Sequence, residues 1–450
     1  MTANRHRKPG APYSRIIMLG LPIIAGQLGM IATGFADTAM VGHYSTDALA
    51  SAAFVNNIFN IPILALLGFT YGLTPLAGAL FGRGRRYRVG GVLANGVMIN
   101  LAFACLMTAL MGVLYFFLDR LGQPEELLPL IRPYYLIGLA GLIPISLFNV
   151  FAQWSYATRL TSMPMWITLG ANAINVAANW LLIFGHWGLP ELGLVGAGLA
   201  TFAARLFCPV MIILLFMTQR RFRSYRLGYK ATRVDMATMT RVGRTSLPIS
   251  LQMAFETSAF SGTAVMAGWI GAIALASFQV IVTLGTLGFC IYYGMGAAVS
   301  VLVANYAGRE EPRAMRVTAI RGYIVTLGLA ACSSLLFLLS GTDIMHLFSH
   351  DPAVVTAAGA LIVPLILYQV GDATQINFAN ALRGTANVMP MLWIAFVSYI
   401  LVGLPSTYLL AFTAGLGVYG MILSFSVSLF LAGALFLHFF LRTVNRLPLR

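Results

Sequence analysis

"QRRFRSYRLGYKATRVDMATMTRVGR", residues 219–244, packs eight Lys and Arg into the longest polar stretch of an otherwise apolar chain. It lies near the middle of 450 residues, of which 59% are hydrophobic and only 9% charged. A water-soluble surface needs far more charge than that, so the composition describes an integral membrane protein. Six apolar runs precede the basic segment, at 16–40, 50–80, 91–118, 132–157, 164–185 and 193–218. Six follow it, at 246–270, 273–304, 321–341, 353–382, 388–411 and 417–441. About 20 residues of helix cross a hydrocarbon core of roughly 30 Å, and a barrel would show short alternating strands instead. The expected fold is all-α, with twelve transmembrane helices divided by the basic segment into an amino-terminal lobe (1–218), a cytoplasmic linker (219–244) and a carboxy-terminal lobe (245–450).

The first run follows a basic tail (Arg5, Arg7, Lys8, Arg15). It is too long for a cleaved signal segment and has no small-residue cleavage site, so it reads as the first span. With the amino terminus in the cytoplasm, 25 of the 28 Lys and Arg fall on the cytoplasmic side, Arg120 and Arg132 fall outside, and Arg205 falls within a span. That asymmetry is the positive-inside pattern. An even number of spans brings the carboxy terminus back to the same side. The net charge of +15 therefore reports topology and contact with anionic lipids on the cytoplasmic side rather than nucleic-acid binding. Cys105, Cys208, Cys290 and Cys332 fall in apolar runs without metal-ligand spacing and read as small core residues.

The two halves repeat one another at an offset of 226: Leu21-Pro22-Ile23 with Leu247-Pro248-Ile249, Ala48-Leu49-Ala50-Ser51 with Ala274-Leu275-Ala276-Ser277, Gly82-Arg83 with Gly308-Arg309, and Met163-Pro164-Met165 with Met389-Pro390-Met391. Each half has an even number of spans, so the repeats run parallel, related by an axis along the membrane normal. Such repeats are a transporter architecture in which lobes rock around a substrate site.

Of the thirteen acidic residues, only Asp37, Glu256 and Asp372 fall at membrane depth. Their repeat equivalents are Thr263, Met30 and Ser146, so the scaffold itself does not require an acid at these places. A charge there costs about 2.5–3.5 kcal/mol on insertion scales and needs a partner, a proton or a water-filled space. Helical spacing sets Tyr368, Gln369, Asp372 and Gln375 on one stripe of the tenth helix, and Gln252, Glu256 and Thr263 on one stripe of the seventh. Two carboxylates among amide, hydroxyl and carbonyl oxygens suit a small hard cation such as Na⁺, or proton exchange. Buried structural acids hydrogen-bonded across helices are the bland alternative.

Asn172, Asn175 and Asn179, spaced three and four apart, either glue helices together or line the amino-terminal lobe. Asn56, Asn57 and Asn60 pose the same choice. Arg205 is expected to serve a structural role, paired with a buried acid or a helix carbonyl. Prolines at Pro22, Pro62, Pro144, Pro248 and Pro364 should kink their helices.

The stretches "GFADTAMVGHYSTDALASAA" (34–53), "LPISLQMAFE" (247–256), "YYGMGAAVSVLVANYAGRE" (292–310), "YQVGDATQINFANALRG" (368–384) and "GLPSTYLL" (403–410) together resemble the multidrug and toxic compound extrusion (MATE) family, in its NorM-like branch. The likeness extends over nearly the whole chain. It implies a monomeric exporter of small organic cations in a bacterial inner membrane, exchanging them for Na⁺ or H⁺ without a cofactor. It also implies that Glu256 and Asp372 form the coupling site of the carboxy-terminal lobe and that Asp37 is the functional acid of the other. The sequence departs from the pattern in "ALASFQV" (274–280), where Phe278 stands at a position that is histidine in some relatives.

Two rival functions follow from other features. A lipid or lipid-linked oligosaccharide flippase should carry a more basic interior, whereas three acids here face one arginine. An intramembrane transferase should carry a loop-borne nucleophile or metal site near a membrane face. The only local candidate, His43 with Asp47, is expected in a loop at the end of the first helix. Transport rather than enzymatic catalysis is the expected activity.

Overall fold

The structure, a computed structural model, describes residues 10–121, 124–341, 343–347 and 351–447. Arg5, Arg7 and Lys8 of the basic tail lie outside the described residues. Among the described residues every regular element is helical.

The first six spans are Tyr13–Tyr44, Thr46–Gly82, Arg86–Tyr115, Glu125–Ala157, Ser162–Phe184 and Gly193–Thr218. The last five are Ala272–Gly308, Pro312–Ser340, a tenth made of Pro352–Gly359 and Ile362–Gly384 bent by 53°, then Met389–Thr413 and Gly417–Asn445. The seventh is Met236–Ile270, long enough to cross but more polar, because Arg241, Arg244, Gln252 and Glu256 fall inside it. These twelve match the twelve apolar runs, and many of their large apolar side chains are exposed, as lipid-facing helices require. Phe35 (77%), Phe116 (78%) and Leu339 (79%) are among the most exposed. Cys105 and Cys332 share that outer surface, so only Cys290 is a fully buried core cysteine.

The basic segment is itself folded. A short turn, Arg220–Phe222, leads into a helix, Arg223–Ala231, and the seventh span begins ten residues before its apolar run. Composition hides this because the charges occupy only the outer face. Phe222, Tyr225 and Gly228 recur at helical spacing and are buried, whereas Arg223 and Leu227 are exposed. The buried face ends on Trp154, whose ring meets Phe216, Phe222 and Tyr225 edge-on at 5.0–5.4 Å. Arg226 turns inward and donates to the carbonyls of Phe216 (2.9 Å) and Gln219 (2.7 Å), satisfying orphan acceptors at the end of the sixth span. The linker helix crosses the third span at a pair of glycines. A Cβ on Gly228 would overlap the carbonyl oxygen of Tyr87, and one on Gly90 would overlap that of Tyr225. Asp235 caps the start of the seventh span, accepting from the amides of Ala237 (3.2 Å) and Thr238 (3.0 Å). Its hydrogen bonds with Thr238 hold its carboxyl below the usual carboxylate range.

The compact units do not coincide with the two halves of the sequence. One comprises the chain up to Ile24 together with Leu251 onward, and the other comprises Ala25–Ser250. Both divisions fall inside continuous helices, two residues beyond Pro22 and Pro248, and they obey the same offset of 226 as the repeat. Glycines make the attachments close. Gly294 leaves room for Ile24 in one unit, and Gly72 leaves room for Ser246 in the other. In the first unit the Ala11 amide donates to Thr318 (3.0 Å), and Arg321 donates to the Ala11 carbonyl (2.9 Å).

Gly228→Ala should destabilise the purified protein by about 1–3 kcal/mol through overpacking against backbone. The readout is a lower melting midpoint in detergent. Leu227→Ala, on the exposed face of the same helix, should leave that midpoint in place.

Candidate functional site

In the unit containing Leu251 onward, the seventh helix presents Gln252 and Glu256 one turn apart, and the tenth presents Gln369, Asp372 and Gln375. Asp372 is 2% exposed, and its Oδ2 has no hydrogen-bond partner. Gln252 Nε2 donates to Glu256 Oε2 at 3.2 Å, which leaves Gln252 Oε1 unpartnered. Both polar atoms of Gln369 and the Oε1 of Gln375 are likewise buried and unpartnered. Nearly all buried polar atoms in proteins are satisfied, so a cluster of orphan oxygens around two acids describes a seat for something positive. The two carboxylates lie within electrostatic reach of each other, and neither is ion-paired among the described residues.

The packing around this seat makes room for polar groups. Gly285 and Gly288 of the eighth helix face Tyr368 and Gln369, and a Cβ on Gly288 would come within 2.5 Å of Gln369 Oε1. Gly296 does the same for Asn380. Tyr368 closes one side against Phe260 and Phe425, with ring centroids 6.4 and 6.3 Å away. Phe278, the departure from the family pattern, is buried beside Phe425 and adds an apolar wall where a histidine would add a titrating group.

Thr263 does not join this set. It is fully buried, but its hydroxyl donates to the Ala259 carbonyl of its own helix at 2.9 Å. Two residues that the sequence reading missed do join. Tyr399, buried in a wide π-helical stretch (Phe396–Gly403) of the eleventh span, turns its hydroxyl toward Gln375 without closing a hydrogen bond, in the field of both acids. Arg383 counts in the sequence as one more cytoplasmic cation. In the structure it is 5% exposed, donates to Asn380 Oδ1 at 3.1 Å, and is felt electrostatically by Glu256. Its spacing from Asn380, one helical turn, was the available signal.

In the unit Ala25–Ser250, Asp37 of the first helix accepts a short hydrogen bond from Asn179. Asn179 also donates to Asn175 (3.3 Å), and Asn175 donates to Thr201 (3.4 Å). Asn175 and Asn179 thus feed an acid rather than merely gluing helices, with Thr201 as an unforeseen third member. Asn172 stands apart, opposite Gly29 of the first helix. Arg205, one turn beyond Thr201, lies within electrostatic reach of Asp37 but makes no ion pair with it. Asn56 meets the Tyr134 hydroxyl at 3.5 Å, while Asn57 and Asn60 are exposed. His43 is not in a loop: it sits in the last turn of the first helix, with Nδ1 against the Ala39 carbonyl at 2.8 Å. Asp47 lies in the first turn of the second helix. Among the described residues no group of three or more His, Cys, Asp or Glu converges.

Twelve helices in two repeats, each with acids sheltered inside its own unit, define a multi-pass membrane transporter. The MatE family profile matches twice, at residues 22–181 and 248–409, the two starts separated by the repeat offset. The chain belongs to the MatE family. It is 30% identical over 439 residues to the probable multidrug resistance protein NorM of Geobacillus kaustophilus, covering 97% of this chain and 96% of that one. It is also 30% identical over 406 residues to the multidrug resistance protein MdtK of Pectobacterium atrosepticum, covering 89% and 88%. Among solved structures it resembles a MATE in complex with MaL6 (TM-score 0.88, 17% identity, 98% of both chains). It also resembles the eukaryotic MATE transporter AtDTX14 (TM-score 0.85, 18% identity, 96% of this chain and 97% of that one). A profile of the lipid II flippase MurJ matches residues 134–251 alone.

Gln252→Leu removes the donor to Glu256 and one orphan oxygen, and should slow dye efflux by about tenfold or more, the effect of losing one buried polar contact of this kind. Thr263→Val, whose hydroxyl is spent on its own helix, should stay within about twofold of wild type in the same assay.

Proposed function

We propose that this protein exports small organic cations in exchange for Na⁺ or H⁺, with the coupling cation seated at Glu256 and Asp372 and Asp37 serving as the second functional acid. The observation that carries this reading is Asp372: an enclosed carboxylate with an unpartnered oxygen, beside a second acid and among further unpartnered side-chain oxygens. Similarity to proteins named for multidrug resistance supports export of toxic organic compounds. Anionic side chains in both units favour cationic ones.

A coupling ion drives a cycle only by binding one conformation better than another. Occupied, the seat loses one unit of negative charge and its orphan oxygens gain a partner; empty, it carries more negative charge at membrane depth, where such charge is costly. The two states therefore differ in free energy inside one unit, which is the lever that alternating access of the repeats needs. Exchange of one monovalent cation for one organic cation moves no net charge, so a tenfold inward gradient of the coupling ion, worth about 1.4 kcal/mol, balances a tenfold substrate gradient, and each further coupling charge entering across about 100 mV adds roughly 2.3 kcal/mol. In this reading the protein works as a monomer in the bacterial inner membrane. Both termini and the basic linker helix face the cytoplasm and its anionic lipids. The flippase match covers only residues 134–251, and the three interior acids outnumber the two interior arginines, Arg205 and Arg383, so export of cations is preferred to flipping of an anionic lipid.

The test is ethidium efflux from proteoliposomes under an inward Na⁺ gradient and, separately, an inward H⁺ gradient. Wild type should respond to one of them. Asp372→Asn should fold and insert yet show no gradient-driven efflux; undiminished coupled efflux in that variant overturns the assignment.

A further inference from the structure

Arg205 occupies the midpoint of the sixth span, Gly193–Thr218, where a permanent positive charge is among the costliest groups a membrane protein can hold. A structural arginine at that depth would be consumed by an ion pair or by helix carbonyls. This one makes neither: no hydrogen bond or ion pair engages its guanidinium among the described residues. Nor are its nitrogens sealed. None of them belongs to the buried atoms that lack a partner, and the residue is partly accessible, so its nitrogens keep some reachable surface.

The seat beneath it is built. Gly141 lies at the break in the fourth span, between Leu128–Ala140 and Leu142–Ala157, and a Cβ there would come within 2.8 Å of Arg205 Nη1 and 3.0 Å of its Cδ. The absent side chain at position 141 is what lets the guanidinium lie across the break. Facing it electrostatically are Asp37, farther than the 4.0 Å of an ion-pair contact, and the phenolic group of Tyr134. Asp37 is oriented by Asn179, and Tyr134 donates to Asn56. The unit thus holds one negative and one positive group apart, with an aromatic ring in their field.

We infer that Arg205 is an anchor for the carboxylate of zwitterionic substrates, a flat amphiphile placing its cationic end toward Asp37 and its carboxylate on the guanidinium fork. Arginine presents paired N–H donors that match a carboxylate bidentately, and these are the donors the protein leaves without acceptors. Complementing both ends of a zwitterion neutralises both interior charges at once, whereas a simple cation meets the repulsion of Arg205. This specificity rests on the exporter reading above but is measured without an ion gradient, so the two fail separately.

Rhodamine B carries a free carboxylate and its ethyl ester does not, while the cationic ring system is the same. Binding of each dye to the full-length protein in detergent, followed by fluorescence anisotropy, tests the anchor. Arg205→Met should weaken rhodamine B by roughly tenfold or more, the loss of one charge-assisted bidentate pair, and should not weaken the ester. Arg205→Lys should recover part of the loss. Gly141→Ala, which displaces the guanidinium without removing it, should lower the preference for rhodamine B in the same direction and decides the matter if Arg205→Met does not fold. Equal weakening of both dyes, or an unchanged ratio in every variant, overturns the proposal. Selective rhodamine B binding without gradient-driven efflux would leave the anchor standing and sink the antiport reading.

Discussion

A carboxylate enclosed in a lipid-facing bundle without a countercharge dictates what its neighbours can be. Around Asp372 the eighth helix gives up side chains altogether at Gly285 and Gly288, so that Tyr368 and Gln369 fit against it. Gln252 spends its amide on Glu256 and leaves its oxygen facing inward. The aromatic pair Phe260 and Phe425 closes against Tyr368 and gives that side an apolar wall. Asp37 meets the same constraint differently: a file of Thr201, Asn175 and Asn179 ends in a donor aimed at its oxygen. One acid keeps an unpartnered oxygen and the other is tethered by the Asn179 amide.

The repeat shows how cheaply the scaffold does without these acids. Ser146, the counterpart of Asp372, donates to the Asn100 carbonyl at 3.4 Å. Thr263, the counterpart of Asp37, folds its hydroxyl onto its own helix. Met30, the counterpart of Glu256, is 57% exposed. At each place the partner repeat carries a side chain that makes no demand on its neighbours. The scaffold is therefore satisfied without an acid at these places.

Much of this was legible in the residues, and the gaps have physical reasons. Twelve apolar runs and the offset of 226 required only length and periodicity, which the bilayer enforces strictly. The stripe through Gln369 and Asp372 was visible because helical spacing sets a common face wherever the backbone stays helical. Thr263 shares that spacing on the seventh helix, yet spacing cannot say that a hydroxyl will choose its own backbone. Arg383 was counted with the cytoplasmic charges because position along the chain gives depth but not enclosure. The linker helix escaped because an average over eight cations conceals a buried face of Phe222, Tyr225 and Gly228. Thr201 and Tyr399 carry no signal alone; each matters only through a neighbour from a distant helix.

The exchange of leading segments at Ile24 and Ser250 bears on how such a chain can be assembled. Severed at the basic connector, the chain would give two fragments of six spans, and each would lack the stretch of helix that packs into its own bundle while carrying one that belongs to the other. Two half-length chains of this kind would complete themselves only by swapping their opening segments reciprocally, the closed pairing of a twofold homodimer, and that reciprocity is preserved here within a single polypeptide.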